Sequence, residues 1–236
     1  MPISKHPVIK KARSRFRQLS WHRLAFLSEL KPVSRTFGFD RGRPIDRHYI
    51  ENFLQERAAD IRGTVLEIAD REYTDRFGGS SVTRSEVLHA EPGNPSATIV
   101  GDLVTGKGIE ECFFDCMILT QTFSFLYEPK TAISNCFRGL KPGGVLLATV
   151  PGISQISRYD MDRWGDYWRF TDASALKLFD EVFGIGNVQI ETHGNVLVAC
   201  AFLHGLAVHE MKPAELEFHD PDYQLVVCVR AVKAIP

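Results

Sequence analysis

The 236-residue chain has no apolar run approaching the roughly 20 residues that a membrane-spanning helix needs, and its first residues lack the apolar stretch of a signal peptide. It holds five cysteines, an odd number with no C-x-x-C pair, which excludes a disulfide-stapled scaffold and a cysteine zinc knuckle. Four of the five sit among apolar residues, as buried thiols do, so reduced thiols and a cytoplasmic location are expected. No carboxylate–histidine cluster at ligand spacing accompanies His204 and His209, and no metal is expected. Internal repeats and low-complexity tracts are missing too, which excludes solenoids and disordered linkers.

An excess of one charge is also lacking, with a formal net charge of −1, yet the balance conceals a division. Residues 1–47 hold twelve Lys and Arg against three acids, a formal +9, and the rest of the chain is −10. The pattern is a basic arm, 1–45, on an acidic body, 46–236. Within 7–30 the apolar positions Ile9, Ala12, Phe16, Leu19, Leu27 and Leu30 recur at helical spacing. Such a basic amphipathic helix suits an anionic membrane surface or an enzyme complex, and equally the acidic body of its own chain or of a second copy in a homodimer. The Arg-rich, acid-poor arm also resembles an organelle transit peptide. Nucleic acid is not an expected partner, because only the arm could neutralise phosphates.

The composition, 44% hydrophobic and 24% charged, supports a full core. A second helical stretch places Ile50, Phe53, Leu54 and Ala58 on one face. Short β-rich runs then alternate with helical segments. Strands are expected at 64–69, 81–85, 98–100, 114–120, 145–150, 188–192 and 224–231, and helices at 129–140 and 173–183. Alternation of this kind predicts an α/β fold with a mostly parallel sheet. In such sheets ligands bind beyond the carboxyl ends of the strands, where strand order reverses. Three acids fall at expected strand ends. Asp70 follows the first strand, Glu86 closes the second 17 residues after Ala69, and Asp102 lies in the turn after the third. An acid at the second position can bond the hydroxyls of a ribose, and one in the third turn can accept from an adenine amino group.

The strand Val65-Leu66-Glu67-Ile68, the run Val82-Thr83-Arg84-Ser85-Glu86, the turn Val100-Gly101-Asp102-Leu103, the strand Phe114-Asp115-Cys116-Met117-Ile118 and the turn Leu140-Lys141-Pro142-Gly143-Gly144 occur in an order that resembles the class I S-adenosylmethionine-dependent methyltransferases. Over residues 46–232 the resemblance implies a Rossmann-like sheet of seven strands with helices on both faces and the last strand antiparallel. It implies S-adenosylmethionine as cofactor, with Glu86 on the ribose, Asp102 beside the adenine, Glu67, Ala69 and Asp70 in the first-strand turn, and Gln121 and Thr122 at the methionine end. The sequence departs from the pattern where Gly-x-Gly-x-Gly is expected, reading Ala69-Asp70-Arg71-Glu72-Tyr73. With residues 70–80 alone between the first two strands, the crossover is close to the shortest that joins parallel strands.

The stretch Trp164-Gly165-Asp166-Tyr167-Trp168-Arg169-Phe170-Thr171 resembles a segment of methyltransferases encoded with bacterial glycan enzymes. Its mixture of aromatic and charged side chains suits a sugar, whose ring faces pack on aromatic planes while its hydroxyls meet charged groups. Arg158, Tyr159, Trp164, Tyr167, Trp168 and Arg169 are therefore candidate substrate residues; the two tryptophans, four apart, equally suit a clamp on the following helix. An O-methyl product requires proton removal from an alcohol, for which Asp166 and His193 are the candidates and His89 a third. The expected function is O-methylation of a sugar or glycosylated small molecule. Two rivals stay open: a chain of this fold that has lost methyl transfer for another transferase or lyase reaction, and a non-catalytic module recruited by its arm.

Overall fold

The computed structural model describes residues 29–235; residues 1–28, and with them nearly all of the expected amphipathic helix, lie outside the described residues. Seven strands form one sheet: β1 (Gly63–Ile68), β2 (Val82–His89), β3 (Ile99–Val100), β4 (Phe114–Thr120), β5 (Leu140–Pro151), β6 (Val188–His193) and β7 (Val226–Val232). Their spatial order is β3-β2-β1-β4-β5-β7-β6. Neighbours from β3 to β5 pair in parallel, and β7 runs antiparallel to both β5 and β6. Strand order therefore reverses between β1 and β4, which puts the ligand crevice at the carboxyl ends of those two strands.

Among the described residues, six α-helices accompany the sheet: α1 (Ile45–Glu56), α2 (Pro129–Gly139), α3 (Arg158–Met161), α4 (Asp172–Phe183), α5 (Val196–Leu203) and α6 (Pro213–Glu217). Alternation along the strands sends Leu66, Met117 and Leu146 to one face, where they meet Ile133 of α2 and Phe179 of α4. Val65, Cys116, Ile118 and Leu147 go to the other, against Ile50, Phe53 and Leu54 of α1 and Phe202 of α5. Each fully buried side chain of this size contributes roughly 1.5–3 kcal/mol. Covered on both faces, β4 reads as the continuous apolar run Cys116-Met117-Ile118-Leu119. Asp172 opens α4, with Thr171 and Ser174 forming a reciprocal capping box.

Four departures from the expected elements bear on the site. The second strand does not stop near Glu86 but continues to His89, with Leu66 opposite Glu86 and Ile68 opposite Leu88. Between β1 and β2 the chain makes one wide π-type turn, Thr74–Gly78, and one 3-10 turn, Gly79–Ser81, in place of a full helix. Lys141-Pro142-Gly143-Gly144 is a bulge inside β5, since Leu140 pairs with Phe114 and Val145 with Cys116. Gly143 there takes φ +78° and donates its N–H to the Lys233 carbonyl. Helix α5 shows no helical periodicity in sequence because it is apolar all round.

Part of the expected arm is built onto the body. Ser34 donates its N–H to the His204 carbonyl at 3.1 Å, and Pro44 bridges Ala207. Arg41 pairs with Glu210, and Arg43 with Glu51 at 2.7 Å. Among the described residues no helix is long and apolar enough to cross a membrane.

Candidate cofactor and acceptor site

The turn after β1 keeps its shape without glycine. Ala69 takes φ +70°, the left-handed conformation for which a glycine would ordinarily be chosen. Its N–H donates to the Leu88 carbonyl at 3.1 Å, and its own carbonyl accepts from Asn94 Nδ2 at 2.6 Å. Glu67, buried at 3% exposure, accepts from the N–H of Tyr73 (3.1 Å), the N–H of Thr74 (2.8 Å) and Thr74 Oγ1 (2.7 Å). The carboxylate thus anchors the segment that follows the turn. Burial pushes Glu67 up to about 7, against the pull of these donors. Asp70 Oδ1 accepts the Glu72 N–H at 2.9 Å. The backbone turn after β1 is therefore present, with Ala69 in the conformation that a glycine would take.

At the ends of β2 and β3 the structure rearranges the expected assignments. Glu86 is buried inside β2, where it pairs with Arg84 and accepts a hydrogen bond from Thr98 Oγ1. Thr98 Oγ1 also accepts the Val87 N–H at 2.9 Å, so Glu86 helps lock β2 to the segment entering β3. Glu86 therefore lies inside β2 and not at its end, as the sequence led one to expect; the strand end falls at His89, three residues on. Asp102 does lie in the turn after β3, where its Oδ1 accepts the Thr105 N–H at 2.7 Å and its N–H donates to Lys107.

Gln121 and Thr122 stand at the end of β4, facing the switch point. Gln121 adopts φ +54°, held by its N–H donating to the Thr149 carbonyl at 2.8 Å. Its side-chain amide has no hydrogen-bond partner among the described residues. Thr122 Oγ1 donates to the Thr120 carbonyl at 3.2 Å.

Residues 152–170 form a roof that begins at the end of β5. It carries Trp164 as far as β2, where the indole meets the His89 ring edge-on at 6.2 Å between centroids. Three strand spacings separate β5 from β2, about 14 Å, so the roof passes over the crevice between β4 and β1. Arg169 organises it. Its guanidinium grips Asp166 with Nη1 to Oδ1 at 2.5 Å and Nη2 to Oδ2 at 2.9 Å, and also reaches the carbonyls of Gln155 (2.6 Å) and Trp168 (2.8 Å). Asp166 Oδ2 accepts the Ser157 N–H as well, at 3.0 Å. With its side chain 1% exposed and both oxygens engaged, Asp166 positions the roof rather than offering a free base. Arg169, engaged by Asp166 and by backbone carbonyls, holds the same roof while its side chain stays partly exposed.

The remaining candidates divide. Arg158 pairs with Asp162 at 3.2 Å, and Tyr159 has the Arg163 guanidinium 3.6 Å from its ring centroid. Tyr167 and Trp168 are exposed and join Tyr127, at 5.4 and 6.2 Å between ring centroids. The shelf is fixed from below, because Trp168 Nε1 donates to the Leu126 carbonyl at 3.1 Å and the Tyr167 N–H to the Ser124 carbonyl at 2.8 Å. Tyr127 was not legible as a site residue, because only the tertiary fold brings it to the roof. His193 ends β6, three strands from β4 and again about 14 Å along the sheet edge, stacked on Tyr49 at 5.2 Å. Burial lowers its pKa. The structure therefore does not bring His193 and Asp166 into one site.

Comparisons with known proteins agree with this geometry. A family model described as "Methyltransferase domain" matches residues 58–148. A SAM-dependent methyltransferase from Archaeoglobus fulgidus superposes with a TM-score of 0.53 at 12% identity, covering 79% of this chain and 94% of that one. The N-methyltransferase NodS from Bradyrhizobium japonicum, solved with S-adenosylhomocysteine, superposes with a TM-score of 0.50 at 14% identity, covering 90% and 96%. A search of curated proteins finds no match. Residues 58–148 thus match a methyltransferase domain, and the sheet that contains them has the Rossmann-like fold of these solved methyltransferases.

Proposed function

We propose that the chain transfers a methyl group from S-adenosylmethionine to a hydroxyl of a sugar or a glycosylated small molecule. The observation that carries this reading is the exposed shelf of Tyr127, Tyr167 and Trp168, held by Ser124 and Leu126 just beyond the end of β4. Aromatic faces bordered by polar groups suit the apolar face of a pyranose, and such contacts contribute about 1 kcal/mol each.

When bound, the cofactor would supply a methyl group activated on a sulfonium; transfer to the acceptor oxygen breaks the sulfur–methyl bond, leaves S-adenosylhomocysteine, and passes the hydroxyl proton to bulk water at the exposed shelf. The Ala69 turn would receive its methionine part, Asp102 its adenine side, and the free amide of Gln121 would face the reacting end. The roof held by Arg169 and Asp166 excludes water and sets the acceptor's approach, the alignment on which an in-line displacement depends. The residues with free ring faces, Tyr127, Tyr167 and Trp168, bind the acceptor, while Asp166 and Arg169 hold them in place.

A test combines titration with S-adenosylhomocysteine and transfer of labelled methyl from S-adenosylmethionine to methyl hexosides and nucleotide-linked hexoses. The reading expects heat on titration, label in a hexose, and about a tenfold rise in acceptor KM for Tyr127→Ala with kcat within twofold. The glycine-less turn favours the rival in which the fold has lost methyl transfer. Silence in the titration at high micromolar ligand would decide for that rival.

A further inference from the structure

We infer that His89, rather than a strand-end carboxylate, hydrogen-bonds the ribose of the cofactor in this chain. The inference rests on the methyltransferase reading above and identifies the side chain that reads the nucleoside. In open parallel sheets the ribose is met by a side chain at the end of the second strand, beside the first-strand turn. The register gives that place to His89, since Ile68 pairs with Leu88 and the next residues are Ala69 and His89. On its other side His89 pairs with Val100, directly before Gly101 and Asp102. The residue thus stands between the turn proposed for the methionine part and the turn proposed for the adenine.

The acid in the same strand is not available for this task. Glu86 is 6% exposed and engaged by Arg84 and Thr98. By contrast, His89 is oriented for one bond. Its Nδ1 is spent on the Glu91 backbone, 2.8 Å from the carbonyl and 3.3 Å from the N–H, which leaves Nε2 free to bond a hydroxyl, as acceptor or donor according to the tautomer. Trp164 meets the ring edge-on from the roof and limits its rotation. One free ring nitrogen offers one hydrogen bond where a carboxylate offers two, so a single ribose hydroxyl is held.

Calorimetric titration with S-adenosylhomocysteine tests the assignment on the full chain. His89→Ala is expected to weaken binding about tenfold, the equivalent of one hydrogen bond. His89→Asp, which places a carboxylate at the strand end, is expected to restore at least wild-type affinity. Glu86→Gln and Glu91→Gln are expected to leave affinity within twofold. His89→Gln, which keeps an acceptor, covers the case in which alanine disturbs the roof, and should fall between wild type and alanine. Unchanged affinity in both His89→Ala and His89→Gln, or a tenfold loss in Glu91→Gln instead, would overturn the inference while leaving the cofactor reading intact. Failure of the wild-type chain to bind overturns both.

Discussion

The two sides of the crevice use their polar groups differently. On the β1–β2 side, Glu67 is buried under three donors from Tyr73 and Thr74, and Glu86 is locked between Arg84 and Thr98. These carboxylates hold their own chain in place, and what stands at the strand ends is a peptide turn and the His89 imidazole. On the β4–β5 side, Arg169 and Asp166 do the same structural work within the roof, but the aromatic rings they support remain in solvent. The difference separates two meanings of a charged residue near a strand end. A carboxylate surrounded by its own chain's donors shapes the site, and contact with a ligand falls to neighbours that still have a free face or a free lone pair.

Asp166→Ala should give the largest effect. It leaves the Arg169 guanidinium without its bidentate partner and frees the Ser157 N–H, a loss of about 2–4 kcal/mol given that Arg169 is partly exposed. Because the loss is confined to the roof, limited proteolysis should cut within 155–165 before the sheet unfolds, and acceptor binding should fall with it. Protection equal to that of the wild type would show that the roof does not depend on this pair.

Next comes the pH response of Glu67, which asks whether burial or donors dominate on the other side. Burial places its folded value at about 7, above the ordinary 4.5, so between those pH values the folded chain keeps a proton that the unfolded chain has released. Stability from this group is complete below about 4.5 and is lost as pH rises through 7, and the part lost between pH 5 and pH 8 is on the order of 2–3 kcal/mol. Urea unfolding at pH 5 and pH 8 should show the loss. Glu67→Gln should lower stability at both values, since its amide sets a donor against a backbone N–H, and should remove the slope. Parallel slopes in the two chains would mean that the three donors keep the carboxylate ionised and that burial is the lesser force.

Much of the sheet was legible in the sequence because its signals are local. The run Phe114–Thr120 is a strand as expected, since it is apolar on both faces, and α2 and α4 keep their helical spacing within a residue or so. The end of β2 was not legible. Glu86 resembles a terminal acid, but Val87 and Leu88 continue the strand because β1 and β3 pair with them, and pairing is a property of the neighbours. The same limit applies to Tyr127, whose partners lie 40 residues on, and to Asp166, whose Arg169 grip depends on how the roof folds back. Residue types around the crevice were readable, but whether each side chain faces its own chain or a ligand required the tertiary structure.

The smallest effect concerns the missing glycines. Ala69 occupies φ +70°, which costs a residue with a side chain about 1 kcal/mol or more, and glycine would adopt it freely. Ala69→Gly should therefore stabilise the chain by about 1 kcal/mol, less whatever freedom glycine adds to the unfolded state, and raise Tm by roughly 2–4 °C. Affinity for S-adenosylhomocysteine should change little, because the turn already holds the shape that glycine would allow. A gain in stability with unchanged affinity would mean that glycine relieves strain at this position without being needed for the pocket. Lower stability would show that the surrounding bonds, from Leu88 and Asn94, favour the alanine, and that the β1 side tolerates no relaxation where the roof opposite it does.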